Sequence, residues 1–167
     1  LLLDGELSPQ QHQFAQTLRD AATDLMRIID DILDFSKLEA DRIELEHVGF
    51  GLEQLLTSIV DLLSVKAVKK DLELKTEIAS DVPTALVGDP GRLRQVILNL
   101  VDNGLKFTEA GNVTIVTRVR DLFDGKVRLE FQVRDTGIGI PDAARETLFA
   151  QFTQVDSSIS RRFGGTG

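Results

Sequence analysis

The sequence predicts an α+β protein: a helical module with one long helix, joined to a two-layer α/β sandwich. Three observations carry this. Apolar residues recur at heptad spacing between Phe14 and Phe35. After Ala40-Asp41 the pattern changes to short alternating runs interleaved with helical ones. Beyond Asp135 glycines accumulate and regularity weakens.

The first helix opens at Ser8-Pro9, an N-cap residue followed by proline at the first helical position, where a missing N–H is no loss. Phe14, Leu18, Ala21, Leu25, Ile28, Ile32 and Phe35 then recur at spacings of four and three, a heptad seam. Gln16, Arg19, Asp20, Asp24, Arg27 and Asp31 fall off that seam. The helix is expected to reach about Leu38, on the order of 45 Å of length. One helix cannot bury its own seam, so partner helices are required; a plain coiled coil and a helix bundle both fit the period.

Ile43-Glu44-Leu45-Glu46-His47-Val48 alternates like a short strand. Leu52 to about Lys69 is helical, with Leu55, Leu56, Ile59, Leu62 and Leu63 on one side. Leu72, Leu74, Thr76 and Ile78 alternate with Glu73, Lys75 and Glu77, as in a half-buried strand. Asp89-Pro90 opens another helix ending near Thr108, with Gly111 as a stop signal. Val113, Ile115, Thr117 and Val119 form a strand, Asp124-Gly125 is a hairpin signal, and Val127, Leu129, Phe131 and Val133 return. The polar stretch 154–167 reads as a mobile loop.

Composition narrows the function. The 167 residues suffice for one good domain and a small attached element. Because the chain starts with Leu1 rather than Met, it is expected to be a piece of something longer. No basic region followed by an apolar stretch marks a signal peptide, and no apolar run approaches the roughly 20 residues that cross a bilayer. Cysteine is absent, which excludes disulfides and thiolate chemistry, and two histidines leave little for a His-rich metal site. A net charge of −8 disfavours nucleic acid and anionic membrane.

Three segments carry chemistry. In a helix, residues four and seven apart return to within roughly 40° of one direction, so Asn99, Asn103 and Lys106 share a face while Leu93, Ile97, Leu100 and Gly104 can pack inward. An amide oxygen suits Mg²⁺, and a lysine one turn away can meet a phosphate. Asp135-Thr136-Gly137-Ile138-Gly139-Ile140-Pro141 follows an alternating strand; its glycines permit close approach of a ligand, and its carboxylate can accept from an exocyclic amine such as that of adenine. The same Asp-Thr-Gly is the signature of aspartic proteases. That chemistry needs two carboxylates sharing a proton, whereas this chain has one copy and much helix. Arg161-Arg162-Phe163-Gly164-Gly165-Thr166-Gly167 could cradle phosphates on backbone N–H groups, or be a flexible linker.

In order and spacing these segments resemble the boxes of sensor histidine kinases, members of the ATPase superfamily shared with gyrase, Hsp90 and MutL. Residues 99–108 resemble the N box, 135–139 the first glycine box, Phe149-Ala150-Gln151-Phe152 the F box, and 164–167 the start of the second glycine box. Asp34-Phe35-Ser36-Lys37-Leu38-Glu39 resembles the end of the second dimerisation helix, especially in hybrid kinases. The resemblance implies residues 1–41 as the C-terminal part of the dimerisation module and 42–167 as the ATP-binding catalytic domain, truncated in the second glycine box.

The same resemblance implies the roles. Asn103 would coordinate Mg²⁺, Asn99 would line the phosphate region, Lys106 would contact phosphate and Phe107 would border the nucleotide. Asp135 would take the adenine amino group, with Gly137, Gly139 and Ile140 beside the base. Phe149 and Phe152 would anchor the lid; Gly165, Thr166 and Gly167, and more weakly Arg161 and Arg162, would meet phosphates. The implied activity is transfer of the ATP γ-phosphoryl to a histidine, for relay to a response-regulator receiver domain. A homodimer formed through the helical module and a cytoplasmic location, without nucleic acid or direct membrane contact, are implied with it.

Departures from the family pattern add two expectations. Nothing matches the Ser-His-Glu-type box, so His12 and His47 are expected at the surface or in packing, and the chain alone is expected to form no phosphohistidine. An ATP-hydrolysing relative of gyrase, Hsp90 or MutL would carry a water-activating glutamate where Asn99 stands. A coiled-coil adaptor with a degenerate pocket would not retain Asn103, Lys106, Asp135 and both glycines.

Overall fold

The computed structural model describes residues 8–39 and 44–141. The chain divides into two units, Leu1–Glu44 and Leu45–Gly167, each described by itself.

In the first unit, α1 spans Pro9–Glu39. Its start is a reciprocal capping box. The Gln11 N–H donates to Ser8 Oγ at 3.3 Å while the Ser8 N–H donates to Gln11 Oε1 at 2.9 Å, so two donors that the helix leaves orphaned are satisfied. Phe14, Leu18, Leu25 and Ile32 of the heptad seam are exposed, and so are Met26 and Ile29 next to it. Ile28 and Phe35 lie on the helix, with side chains outside the described part.

The second unit runs β1 (Val48–Gly51), α2 (Leu52–Lys69), β2 (Leu72–Ile78), β3 (Ala85–Gly88), α3 (Pro90–Phe107), β4 (Gly111–Phe123) and β5 (Lys126–Asp135). β1 and β3 form an antiparallel pair. The main sheet has the order β2-β4-β5, with β2 parallel and β5 antiparallel to the central β4. Asp124 (φ 48°) and Gly125 (φ 71°) turn β4 into β5, both in the left-handed region that a tight two-residue hairpin turn needs.

Both helices bury one stripe against the main sheet. Leu52, Leu55, Leu56, Ile59, Leu63 and Ala67 of α2 meet Ile97, Val101 and Leu105 of α3 over Leu72, Val113 and Ile115. The α+β architecture expected from the sequence is therefore present. β4 is buried on both faces: Val113, Ile115 and Thr117 face the helices, while Thr114 and Val116 are flanked by Lys75 and Glu77 of β2 and by Arg134 and Gln132 of β5. The stems of those long polar side chains can cover apolar surface while their heads stay in water.

Four expectations need correction. The strand placed at 43–48 starts only at Val48, because β3 reaches no further than Val48 opposite Gly88; the Glu46 N–H instead donates to Asp89 Oδ2 at 3.2 Å. Leu62 (58% exposed) and Leu100 (42%) face outward. Each lies about 90° around its helix from the centre of the buried stripe, outside a core that closes on Ile59 and Val101. β2 is covered at Leu72 and Leu74 but exposed by Thr76 and Ile78.

α2 and α3 run parallel, in a register that keeps an offset of 36 residues. Arg94 donates to Ser58 Oγ, Lys66 Nζ donates to Asp102 Oδ1 at 2.6 Å, and Lys70 Nζ donates to the Lys106 carbonyl at 2.9 Å. The C-termini of both helices therefore end side by side.

Ile59, fully buried, should cost about 2–5 kcal/mol when cut to alanine, whereas Leu62→Ala should stay within about 0.5 kcal/mol of wild type in urea unfolding. Equal losses at the two positions would contradict the stripe described here.

Candidate functional site

α3 begins at Asp89, whose Oδ1 accepts from the Arg92 N–H at 2.9 Å, with Pro90 at the first helical position. The backbone N–H groups of Arg92 and Glu46 hold the Asp89 carboxyl below the usual carboxylate value. The start of the helix is fixed by this carboxylate. Its outward face then carries Asn99 and Asn103, both exposed; among the described residues neither amide has a hydrogen-bond partner. Lys106, a turn further, holds its ammonium 5.1 Å from the centre of the Phe107 ring.

The other half of the site comes from β5. Asp135 pairs with Val113 as the last residue of the strand. Its Oδ1 accepts from the Gly137 N–H at 2.9 Å, while Oδ2 has no partner among the described residues. Ile138 and Ile140 present exposed apolar side chains on either side of Gly139, whose φ of 70° suits glycine although the space around it is open.

Two glycines bring the halves together. A Cβ on Gly104 would lie 3.1 Å from Val113 Cγ1 and 3.7 Å from Asp135 Cβ, so α3 rests directly on the end of β5. A Cβ on Gly137 would lie 2.5 Å from the Phe107 carbonyl oxygen and 2.9 Å from both Asp135 Oδ1 and Thr108 Oγ1. The Ile138 N–H donates to that same Phe107 carbonyl at 3.3 Å. Phe107, Asp135 and Gly137 are thus brought together, with Asn103 and Lys106 on the helix turn that makes the contact, Asn99 one turn back and Gly139 and Ile140 just beyond. Phe149, Phe152, Arg161, Arg162, Gly165, Thr166 and Gly167 lie outside the described residues.

The sequence reading missed the parts that hold this arrangement. Thr136 latches the loop to the start of β4: its Oγ1 accepts from the Asn112 N–H and its hydroxyl donates to the Ala110 carbonyl, each at 3.0 Å. A Cβ on Gly111 (φ 108°) would fall 2.2 Å from that Oγ1, which requires glycine there. Thr108 is fully buried beside Gly137, its hydroxyl unpartnered among the described residues. Lys70, from α2, donates to the carbonyls of Leu105, Lys106 and Thr108. None of these has a periodicity or a motif of its own; only the glycine run hinted at tight packing.

Chemically, the site offers a carboxylate oxygen and an amide that have no partner among the described residues, exposed apolar side chains beside the carboxylate, and an ammonium on the same helix as the amide. A purine and its polyphosphate present the complementary groups. A shallow cleft of about 240 Å³, lined by residues such as Leu52, Ile78, Val82 and Thr84, lies at the other end of β2 and contains none of these groups.

The chain is similar to known proteins along its whole length. Residues 88–167 match the family model described as histidine kinase-, DNA gyrase B- and HSP90-like ATPase, and residues 1–41 match that of the His Kinase A (phospho-acceptor) domain. The chain is 50% identical over all 167 residues to the signal transduction histidine-protein kinase BarA of Escherichia coli, and 41% identical to the sensor protein GacS of Pseudomonas syringae. It spans 18% of the length of each of these relatives. Full-length ShkA in complex with AMPPNP superposes with a TM-score of 0.76 at 35% identity, over 95% of this chain and 33% of that one.

Gly137→Ala should displace the amide resonances of Phe107 and Thr108 and destabilise the protein by about 1–3 kcal/mol, because a backbone carbonyl must move to admit the methyl group. Gly139→Ala should leave those resonances in place. Heteronuclear NMR and urea unfolding read both; unshifted Phe107 and Thr108 signals in Gly137→Ala would contradict the close approach.

Proposed function

We propose, from the premise that this chain belongs to the sensor histidine kinase family, that it binds ATP and delivers the γ-phosphoryl group to a histidine of the family's phosphoacceptor domain, for relay to a response-regulator aspartate. The observation that carries this is the joint between α3 and β5, which sets the Asn103–Phe107 face beside Asp135 and Gly137. A family relative crystallised with AMPPNP supports an adenine nucleotide as the ligand.

In this reading Asp135 Oδ2, the unused oxygen, accepts from the adenine amino group. Phe107 and Ile140 border the base, Gly137 and Gly139 leave room for it, and Lys106 turns from the Phe107 ring to a phosphate. Asn103 fits Mg²⁺, since its side chain is exposed and, among the described residues, its amide has no hydrogen-bond partner. Bound there, Mg²⁺ would neutralise charge on the phosphates. Asn99 lines the phosphate region from the same face. Phe149, Phe152, Arg161, Arg162, Gly165, Thr166 and Gly167 are assigned to the lid and phosphates on the resemblance alone.

Transfer to histidine is favoured over hydrolysis by the side chain at Asn99. Splitting ATP with water calls for a group that orients or deprotonates the nucleophile, and a carboxamide takes no proton at neutral pH. We assign residues 1–41 to the dimerisation module and 42–167 to the catalytic domain. The exposed seam of α1 (Phe14, Leu18, Leu25, Ile32) is the surface for homodimer formation, and a receiver domain is the downstream partner. Among the described residues no helix is long and apolar enough to cross a membrane; we place this part of the protein in the cytoplasm, where ATP is available.

Asp135→Asn should weaken ATP by about 1.5–3 kcal/mol and weaken GTP less, because it removes a charged acceptor from the exocyclic amine. Asn103→Ala should abolish the gain in ATP affinity that Mg²⁺ gives, and leave binding without the metal unchanged. Calorimetric titration of the two nucleotides, with and without Mg²⁺, checks both; ATP affinity untouched by Asp135→Asn would overturn the adenine assignment.

A further inference from the structure

An α-helix leaves its last four carbonyls without helical partners, and something must take them. At the end of α3 each acceptor is accounted for. The Gly104 carbonyl takes the Thr108 N–H at 3.1 Å, and the Phe107 carbonyl takes the Ile138 N–H. The carbonyls of Leu105 and Lys106, with that of Thr108 just beyond, all accept from one group, Lys70 Nζ, at 2.7, 2.9 and 3.3 Å. An ammonium carries three protons. Lys70 therefore spends its whole donor capacity on this one turn of backbone.

We infer that Lys70 is a positioning residue for the nucleotide site, acting through the carbonyls of residues 105, 106 and 108. The inference rests on the nucleotide reading above and adds a residue to it from a different helix. Lys70 is itself fixed. It caps α2, its N–H donates to the Ala67 carbonyl, and the chain turns at once through Asp71 (φ 56°) into β2. Its side chain can reach α3 because the helices are parallel and end together. That arrangement also juxtaposes two negative dipole ends, which a cation between them relieves. With Lys70 engaged there, Lys106 need not fold back onto its own helix end. The peptide planes that Lys70 grips lead into Lys106 and Phe107 and flank the Phe107 carbonyl against which Gly137 packs.

The test uses the whole chain and MgATP. Lys70→Met, measured at a temperature where it is fully folded by circular dichroism, should bind MgATP about tenfold more weakly, the scale of a lost hydrogen bond to a charged group. Lys70→Arg should recover thermal stability but only part of the affinity, since a planar guanidinium cannot direct three donors onto carbonyls converging on one point. A purely structural lysine would lower stability and leave affinity alone. NMR of the wild type provides the second arm, which needs no variant to fold. The Lys70 ammonium resonance should exchange more slowly than that of the exposed Lys75, and should shift together with the residue 105–108 amides on adding MgATP. Unchanged affinity in Lys70→Met, or a Lys70 signal that exchanges like Lys75 and ignores nucleotide, overturns the inference. Wild-type protein that binds no ATP while its Lys70 ammonium is protected overturns the nucleotide reading instead.

Discussion

In the second unit, α3 and the loop after β5 meet backbone against backbone. The last turn of α3 lies on the loop after β5 at a distance that tolerates no Cβ on Gly137 and barely one on Gly104. Everything that resembles a site follows from this contact. It joins the helix turn that carries Asn103 and Lys106 to the strand end that carries Asp135, groups that neither element could assemble alone. It lets a loop N–H close the helix, so the Phe107 carbonyl is satisfied by Ile138 rather than by water. Thr136 then ties the loop to the start of β4, in the space that Gly111 leaves open.

A second constraint acts on the opposite side of the same helix end. Packing α2 parallel to α3 places both C-termini together, which is electrostatically unfavourable for the dipoles but favourable for cations. The last turns carry Lys66 and Lys69 on α2 and Lys106 on α3, with Lys70 as the C-cap of α2. Lys66 is held by Asp102 and Lys70 by backbone carbonyls. The turn that presents Lys106 is thus held from two directions, by glycine contacts on one side and by cations from a neighbouring helix on the other.

What the sequence made legible follows the physics of each signal. Helical and strand periods located α2, α3, β4 and β5 well, because burial selects side chains at those periods. The N-cap and proline at Asp89-Pro90 and the Asp124-Gly125 turn were readable because each backbone conformation restricts residue choice. Leu62 and Leu100 were placed inward because a list of leucines does not say how wide the buried stripe is; only the neighbouring helix decides that. β3 was missed because Ala85–Gly88 is short and its identity as a strand comes entirely from pairing with β1. The face shared by Asn99, Asn103 and Lys106 was legible from spacing, and the family resemblance supplied their roles. Lys70 and Thr136 were not legible, since their partners are backbone groups far along the chain, and backbone groups leave no mark in a sequence.

The central claim is that nucleotide binds where the end of α3 meets the end of β5. Titration of the isotope-labelled chain with MgATP, followed through its backbone amides, tests it most directly. The account predicts shifts concentrated on residues 103–108 and 135–140, saturating together with a single affinity. Shifts concentrated instead on the cleft formed by Leu52, Ile78, Val82 and Thr84, with Asp135 and Gly137 unmoved, would contradict it.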